Sequence, residues 1–363
     1  MTYAHAPFSL HHPKTVAEAT QLVAAFPGAR FLAGGTDMMV NIRRRLLAPD
    51  HVISLAQVDE LRGIQEQNGQ IIIGAMTPLE AIAENDLVQK HLPALAQAAG
   101  LVAGPTLRSM GTLGGNLLLD TRCRFYNQSH FWRKANDYCL KKDGEVCHVA
   151  PGGKFCWAAF SADTPPVLLL LDTQVEIAST NGTRSVPLSD LYGTDGRWST
   201  EAKEFHGEEA LKPGELITKI HINIPASNVV LAYEKLRVRE SIDFPLVGLG
   251  MAVQWKAEPG GVVENLRLAL TGVNTRPLEV AGTEKLAGKV LDLVMISELS
   301  RLANKAAKPM RTTVADPAYR RTMVGSLLEK QRCKFLRVWR KCWRSEPAGH
   351  RGGNQGKKKG KAH

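Results

Sequence analysis

Four cysteines in the middle of the chain are of a type and spacing that could do chemistry. Cys123, Cys139, Cys147 and Cys156 are separated by 15, 7 and 8 residues, and the whole sequence has six cysteines. All four lie in one loop-like segment, residues 121–166. Because thiolates ligate zinc and iron–sulfur clusters, four of them on one short segment predict a metal or cluster site.

The spacing weighs against the commoner uses of grouped cysteines. A structural zinc site usually takes its ligands in C-x₂₋₄-C pairs, and this segment has none. Disulfides belong to oxidising compartments, and the N-terminal sequence lacks the apolar stretch of a secretion signal. The segment from Arg122 to Cys156 contains seven basic residues and three acidic ones. This excess of positive charge would lower the pKa values of the thiols and offset the negative charge of a four-thiolate cluster. We therefore favour a thiolate-ligated cluster, with zinc or four unligated thiols as the alternatives.

Two glycine motifs precede the cysteines. The first runs from Ala33 to Met38 and contains Gly34, Gly35, Thr36 and Asp37. The second contains Thr112, Gly114, Gly115 and Asn116. Glycine permits backbone conformations in which neighbouring amides converge on an anion, and each motif also offers a hydroxyl. Both are candidate pyrophosphate sites, although a turn with a capping threonine is the plainer interpretation. Neither is a G-x-G-x-x-G fingerprint, and the sequence has no P-loop.

Hydrophobic periodicity predicts the elements that position these motifs. Helices are expected over residues 13–26, 38–47, 87–99, 164–172, 290–307 and 317–328. Short strands are expected over residues 30–33, 51–55, 70–74 and 175–179, and longer ones over 229–238, 247–255 and 266–271. The N-terminal part is therefore expected to be α/β. The C-terminal part is expected to be α+β, with an antiparallel sheet and helices on one side.

The charge distribution restricts the function classes. The formal net charge of +11 arises almost entirely from residues 331–363, which carry a net charge of +10, so the remaining chain is nearly neutral. We expect no nucleic-acid binding by the body of the protein. The sequence has no apolar run of about 18 residues, so no membrane span is expected, and a cytoplasmic location is predicted. The basic tail is interpreted as a disordered or spurious extension, with a polyanion- or partner-binding arm as the alternative.

Together the motifs resemble those of the flavoprotein (medium) subunits of the molybdenum hydroxylase family, over residues 5–328. This resemblance implies FAD-binding subdomains at 1–58 and 59–226, a cluster insert at about 121–160 and a C-terminal α+β domain at 227–330. The tail at 331–363 departs from the family pattern. It implies FAD binding by both glycine motifs. It also places Asp163 near the ribityl or ribose group and Lys235 near the isoalloxazine ring, although a surface lysine is an equal alternative for Lys235.

The cysteine insert is similar to that of one branch of the family, the 4-hydroxybenzoyl-CoA reductases, through the words DTRC, FYNQS, NDYCLK and CHV. That similarity implies a [4Fe–4S] cluster on Cys123, Cys139, Cys147 and Cys156. It further implies ferredoxin as electron donor, and FAD as the link to a [2Fe–2S] small subunit and a molybdenum large subunit, in a dimer of heterotrimers. The reaction implied is reductive dehydroxylation of 4-hydroxybenzoyl-CoA to benzoyl-CoA, with no catalytic residue in this chain. Two alternatives remain, a subunit of an oxidising hydroxylase or aldehyde dehydrogenase, and a flavin-free scaffold with structural zinc.

Overall fold

The computed structural model describes residues 7–193, 198–199, 211–257 and 260–342. The N-terminal part is a three-stranded parallel sheet in the order β1-β3-β2, flanked by two helices. Its elements are β1 (Ser9–His11), α1 (Val16–Ala25), β2 (Arg30–Leu32), α2 (Met38–Arg43) and β3 (His51–Ser54). The first helix begins three residues later than predicted because the Thr15 hydroxyl caps it, accepting a hydrogen bond from the Glu18 amide at 3.1 Å.

The second part is a five-stranded antiparallel sheet in the order β4-β5-β10-β7-β8, with a separate pair formed by β6 and β9. The strands are β4 (Ile64–Gln67), β5 (Gln70–Gly74), β6 (Phe155–Cys156), β7 (Gln174–Ser179), β8 (Gly182–Pro187), β9 (Trp198–Ser199) and β10 (Leu216–Asn223). The helices are α3 (Leu79–Glu84), α4 (Asp86–His91), α5 (Pro93–Gly100), α6 (Pro105–Arg108), α7 (Leu113–Leu117), α8 (His130–Ala135) and α9 (Pro165–Leu169). Ile71, Ile73, Ile220 and Ile222 pack from the sheet against α3 and α5 in the largest buried core.

The single helix predicted over residues 87–99 is two helices in the structure. The break falls at Leu92, directly before Pro93, which is the first residue of α5. Proline has no amide hydrogen and disfavours helical geometry in the residue before it, so one helix ends and another begins there. Short 3₁₀ helices elsewhere span Leu55–Gln57, Asp59–Leu61, Leu188–Tyr192 and Thr283–Leu286.

The C-terminal part confirms the expected antiparallel sheet with helices on one side. Its strands are β11 (Val229–Leu236), β12 (Val247–Trp255), β13 (Val263–Thr271) and β14 (Leu278–Glu279), in that order, and α10 (Leu293–Ala306) and α11 (Pro317–Cys342) cover them. Trp255, Leu268, Leu299 and Leu328 are among the side chains buried between sheet and helices. This layer packs as a core separate from that of the five-stranded sheet.

The last helix is longer than predicted, so the tail does not begin at residue 331. The Gln331 side chain is fully buried and donates hydrogen bonds to the Ala232 and Leu249 carbonyl oxygens at 3.1 and 3.0 Å. Phe335 is 3% exposed in the same core. These contacts fix the helix on the sheet and correct the expectation that residues from 331 onward are disordered. The remainder of the predicted tail, residues 343–363, lies outside the described residues.

No helix in the described part of the chain is both long enough and apolar enough to cross a membrane.

Candidate cofactor site

The two glycine motifs lie side by side, with backbone against backbone. A Cβ atom on Gly34 would stand 1.6 Å from the Met110 carbonyl oxygen, a separation that no side chain can have. Gly35 follows with φ +74°, in the left-handed region that favours glycine. Both glycines of the first motif are therefore required by the fold, one for close approach and one for conformation.

The second motif is the first turn of α7, and its amides already have partners. The Thr112 hydroxyl caps this turn, accepting a hydrogen bond from the Gly115 amide at 3.2 Å. The Leu113 amide donates to the Thr77 carbonyl oxygen, and the Gly114 amide donates to that of Ala75. What this motif offers a ligand is thus close backbone approach and a hydroxyl, and these three amides are used within the protein.

A cavity of about 490 Å³ opens between the motifs, a volume typical of cofactor and ligand pockets. Eleven of the twelve cofactor residues predicted from the sequence line it. They are Ala33, Gly34, Gly35, Thr36, Asp37, Met38, Thr112, Gly114, Gly115, Asn116 and Asp163. Asn116 holds two of the lining segments together, because its side-chain oxygen accepts a hydrogen bond from the Thr164 hydroxyl at 2.7 Å.

The twelfth residue, Lys235, lies behind the cavity wall and not among the residues that line it. Its ammonium donates to Asp163 Oδ2 at 2.9 Å and to the Leu101 carbonyl oxygen at 2.8 Å. The Tyr233 hydroxyl donates to the other Asp163 oxygen at 2.7 Å. The Lys235 and Asp163 side chains are 1% and 3% exposed, so Lys235 is not a surface lysine. Burial raises the pKa of Asp163, while the ammonium and the two hydrogen bonds oppose that rise.

At the cavity mouth a cation joins segments that are distant in sequence. The Arg122 guanidinium forms an ion pair with Asp37 of the first glycine motif and lies 4.6 Å from the centroid of the Phe244 ring. The Asn41 side chain donates to the second Asp37 oxygen at 3.1 Å. Arg122 and Phe244 line the cavity but were missed as site residues, because Arg122 counted only toward the basicity of the insert. Its position inside DTRC, one residue before Cys123, was the available signal.

The four cysteines of the insert are buried and free. The Ala158 amide donates a hydrogen bond to Cys156 Sγ at 3.4 Å. The Tyr126 and Lys142 amides donate to the carbonyl oxygens of Cys123 and Cys139, at 3.0 and 2.8 Å. Burial raises the pKa of the Cys123 thiol to about 11 and that of Cys156 to about 12. The backbone amides of Phe125 and Tyr126 oppose the rise at Cys123, and the Lys141 ammonium, followed by the Ala158 amide, opposes it at Cys156. The four groups also interact electrostatically with one another.

The sulfurs do not close on a single ion. Among the described residues, no group of three or more Cys, His, Asp or Glu side chains is placed to hold a metal ion. The thiols instead pack as small apolar side chains, with Cys123, Cys139 and Cys156 in one buried cluster that includes Leu46 and Tyr126. The described residues therefore do not place these four side chains around one metal ion, as the expectation of a single metal centre required.

Buried basic residues hold the insert against the cavity wall. The Arg133 side chain is fully buried and donates to the carbonyl oxygens of Arg44 and Arg45, just beyond α2. The Lys141 ammonium pairs with Asp120, donates to the Thr121 hydroxyl at 2.7 Å and lies 4.3 Å from the centroid of the Tyr126 ring. Part of the basicity seen in the sequence is therefore structural.

The comparisons with known proteins agree with this geometry. Residues 6–226 match the family described as the FAD binding domain in molybdopterin dehydrogenase, and residues 231–332 match the CO dehydrogenase flavoprotein C-terminal domain. The chain belongs to this family, and it is an FAD-binding oxidoreductase subunit of the molybdenum hydroxylase type.

Relatives match the chain over most of their length. The carbon monoxide dehydrogenase medium chain of Hydrogenophaga pseudoflava is 26% identical over 337 residues, covering 92% of this chain and 98% of that protein. The aldehyde oxidoreductase FAD-binding subunit of Escherichia coli (strain K12) is 30% identical over 283 residues, covering 76% and 85%. The solved carbon monoxide dehydrogenase from Hydrogenophaga pseudoflava superimposes with a TM-score of 0.71 at 25% identity, covering 90% of this chain and 96% of that one.

Proposed function

We propose that this subunit carries one [4Fe–4S] cluster in addition to FAD and serves electron transfer within a molybdenum enzyme. The observation that carries the proposal is the set of four buried, free thiols on one insert, Cys123, Cys139, Cys147 and Cys156, beside the flavin cavity. Four cysteine thiolates are the usual donor set of a [4Fe–4S] cluster, and amide hydrogen bonds to the sulfurs are one means of tuning it. The donor chemistry therefore fits the cluster.

The residues that would hold FAD are those that the cavity brings together. The first glycine motif, Ala33 to Met38, and the second, Thr112 to Asn116, let backbone approach the diphosphate closely. Asp163 would accept hydrogen bonds from the ribityl or ribose hydroxyls. Lys235 would act through Asp163, keeping that carboxylate charged and oriented behind the isoalloxazine end. Bound FAD supplies both one- and two-electron chemistry.

We propose ferredoxin as the donor, with a molybdenum large subunit and a [2Fe–2S] small subunit as partners in a dimer of heterotrimers. The substrate of the assembled enzyme would be 4-hydroxybenzoyl-CoA, dehydroxylated to benzoyl-CoA on the large subunit. The sequence words of the insert support this substrate, and a cytoplasmic location goes with it. The domain division at 58/59 and 226/227 belongs to the same proposal.

A second candidate is the FAD subunit of an oxidising molybdenum hydroxylase or aldehyde dehydrogenase. The names of the relatives favour it, since they include carbon monoxide, xanthine and aldehyde oxidoreductases. In that case electrons would leave through this subunit to an acceptor.

The test is anaerobic purification of the assembled complex, followed by metal analysis and two assays. The reductive proposal expects FAD, about four irons per copy of this chain beyond those of the small subunit, and reduction of 4-hydroxybenzoyl-CoA by reduced ferredoxin. Aldehyde or heterocycle oxidation without aryl-CoA reduction would establish the second candidate. FAD without extra iron would contradict the cluster, and stoichiometric zinc without flavin would contradict the FAD assignment as well.

A further inference from the structure

Arg122 belongs to two sites at once. Arg122 directly precedes Cys123, and two backbone hydrogen bonds with Ala159 fix its main chain. The Arg122 amide donates to the Ala159 carbonyl oxygen at 2.7 Å, and the Ala159 amide donates to the Arg122 carbonyl oxygen at 2.8 Å. Ala159 leads from the cysteine insert toward Asp163 of the cavity wall. Any displacement of the Arg122 main chain therefore moves Cys123 and the segment that enters the cavity.

The Arg122 side chain lines the flavin cavity. It is 13% exposed, pairs with Asp37 and lies against Phe244, so three chain segments meet at this one guanidinium. Its Nε–H group is buried and has no hydrogen-bond partner among the described residues. An unpaired, buried donor is costly, and it is satisfied when a ligand brings an acceptor atom into the cavity.

We propose that Arg122 is a positioning residue that couples occupancy of the FAD cavity to the order of the cysteine loop. FAD would present the acceptor that the Nε–H group lacks and would fix the guanidinium between Asp37 and Phe244. The Arg122 backbone, and with it Cys123, would then be held in one position. Coupling between two sites is reciprocal, so a cluster that fixes Cys123 tightens FAD binding by the same factor. The effect of FAD on the position of Cys123 rests on FAD binding alone. Only the effect of the cluster on FAD affinity rests on the proposed cluster.

The test uses the full chain, stripped of iron, with and without saturating FAD. A maleimide labels the cysteines, and peptide mass spectrometry follows Cys123 against the exposed Cys333 as internal reference. We expect FAD to slow the labelling of Cys123 by about 5-fold or more, the lower end of usual site–site coupling. Arg122→Met should abolish the protection. Arg124→Met should retain it, because Arg124 is a basic residue of the same loop that does not line the cavity.

Two results would overturn the coupling: no effect of FAD on Cys123 labelling in the wild-type protein, or equal protection in Arg122→Met at saturating FAD. If Arg122→Met does not fold, Arg122→Lys replaces it, since lysine keeps the charge beside Asp37 but loses the planar donor group. Partial protection is then expected, and full protection would contradict the proposal. Failure of the chain to take up iron would refute the cluster but leave this experiment decisive, because it uses iron-free protein.

Discussion

Replacement of Lys235 by methionine tests how the cavity wall is stabilised. The ammonium stands 2.9 Å from Asp163 Oδ2, and at an effective dielectric constant of about 20 two unit charges at that distance attract by roughly 6 kcal/mol before desolvation. The side chains are 1% and 3% exposed, so the pair belongs to the buried class and not to surface pairs of about 0–1 kcal/mol. Breaking a buried pair leaves an uncompensated charge, and Lys235→Met should lower the free energy of unfolding by about 3–5 kcal/mol.

The assay is urea unfolding of the FAD-free chain, with Lys219→Met as the matched control. Lys219 pairs with Glu176 at 3.3 Å, but the two side chains are 42% and 26% exposed, so its loss should cost less than about 1 kcal/mol. The double variant Asp163→Asn/Lys235→Met should recover part of the stability lost in Lys235→Met, because no charge is then left buried without its partner.

The pH dependence of the stability loss in Lys235→Met gives an independent test of the buried pair. Burial already raises the pKa of Asp163 above its ordinary 3.8, and the Lys235 ammonium opposes that rise, so Lys235→Met should raise it further. When a carboxyl has a higher pKa in the folded state than in the unfolded state, the protein loses stability as the pH rises from the unfolded-state pKa to the folded-state pKa. The deficit of Lys235→Met should therefore shrink as the pH falls toward 3.8. A deficit below about 1 kcal/mol with no pH dependence would refute the buried pair and return Lys235 to a direct role at the flavin.

Three further outcomes are expected. Gly34→Ala should reduce FAD affinity by about 5-fold or more, because relieving a collision of this kind costs about 1–3 kcal/mol. Gly152→Ala should leave the affinity unchanged, because an added Cβ there meets nothing within 4 Å, and flavin fluorescence titration measures both variants. Cys139→Ser should lose cluster iron but keep FAD, and retention of iron by metal analysis would remove Cys139 from the ligand set. Burial raises the pKa of Glu215, but hydrogen bonds, chiefly from Arg184, outweigh this effect and lower the pKa below 4.5. The free energy of unfolding of the wild-type protein should therefore fall as the pH drops through that lowered value. Glu215→Gln should make this free energy less dependent on pH in acid unfolding curves.

The fold was predictable where local signals and tertiary packing agree. The long strands β11 and β12 and the capped helix α1 follow from periodicity and a threonine before an apolar face. The end of α11 did not, because residues from 331 onward were set apart by their basic charge, and the contacts of Gln331 and Phe335 depend on where the helix lies on a distant sheet. Gln331 is polar and carries no local signal for such a contact, whereas Phe335 continues the apolar spacing of Leu328.

Some residues of the candidate site were also predictable from local sequence signals, and others were not. Gly34 and Gly115 belong to short motifs whose composition indicates close backbone approach, and both line the cavity. The contacts of Arg122 in the cavity could not be derived from the sequence, because its partner Asp37 is 85 positions away and its aromatic neighbour Phe244 lies on another part of the chain. Sequence periodicity carries no information about which surface charge turns inward, and only the assembled fold shows it.

Backbone strain in the cysteine insert bears on whether the thiols have a function. Asp137, Tyr138 and Asp143 have φ values of 54°, 57° and 63°, and non-glycine residues in such regions cost about 1–3 kcal/mol each. Gly144 completes the turn, where an added Cβ would lie 2.7 Å from the Cys139 amide nitrogen. The strained turn surrounds Cys139, whose carbonyl oxygen accepts hydrogen bonds from the Lys142 and Gly144 amides at 2.8 and 3.2 Å. Strain concentrated around a buried thiol favours a ligand role for that thiol over four cysteines without a ligand.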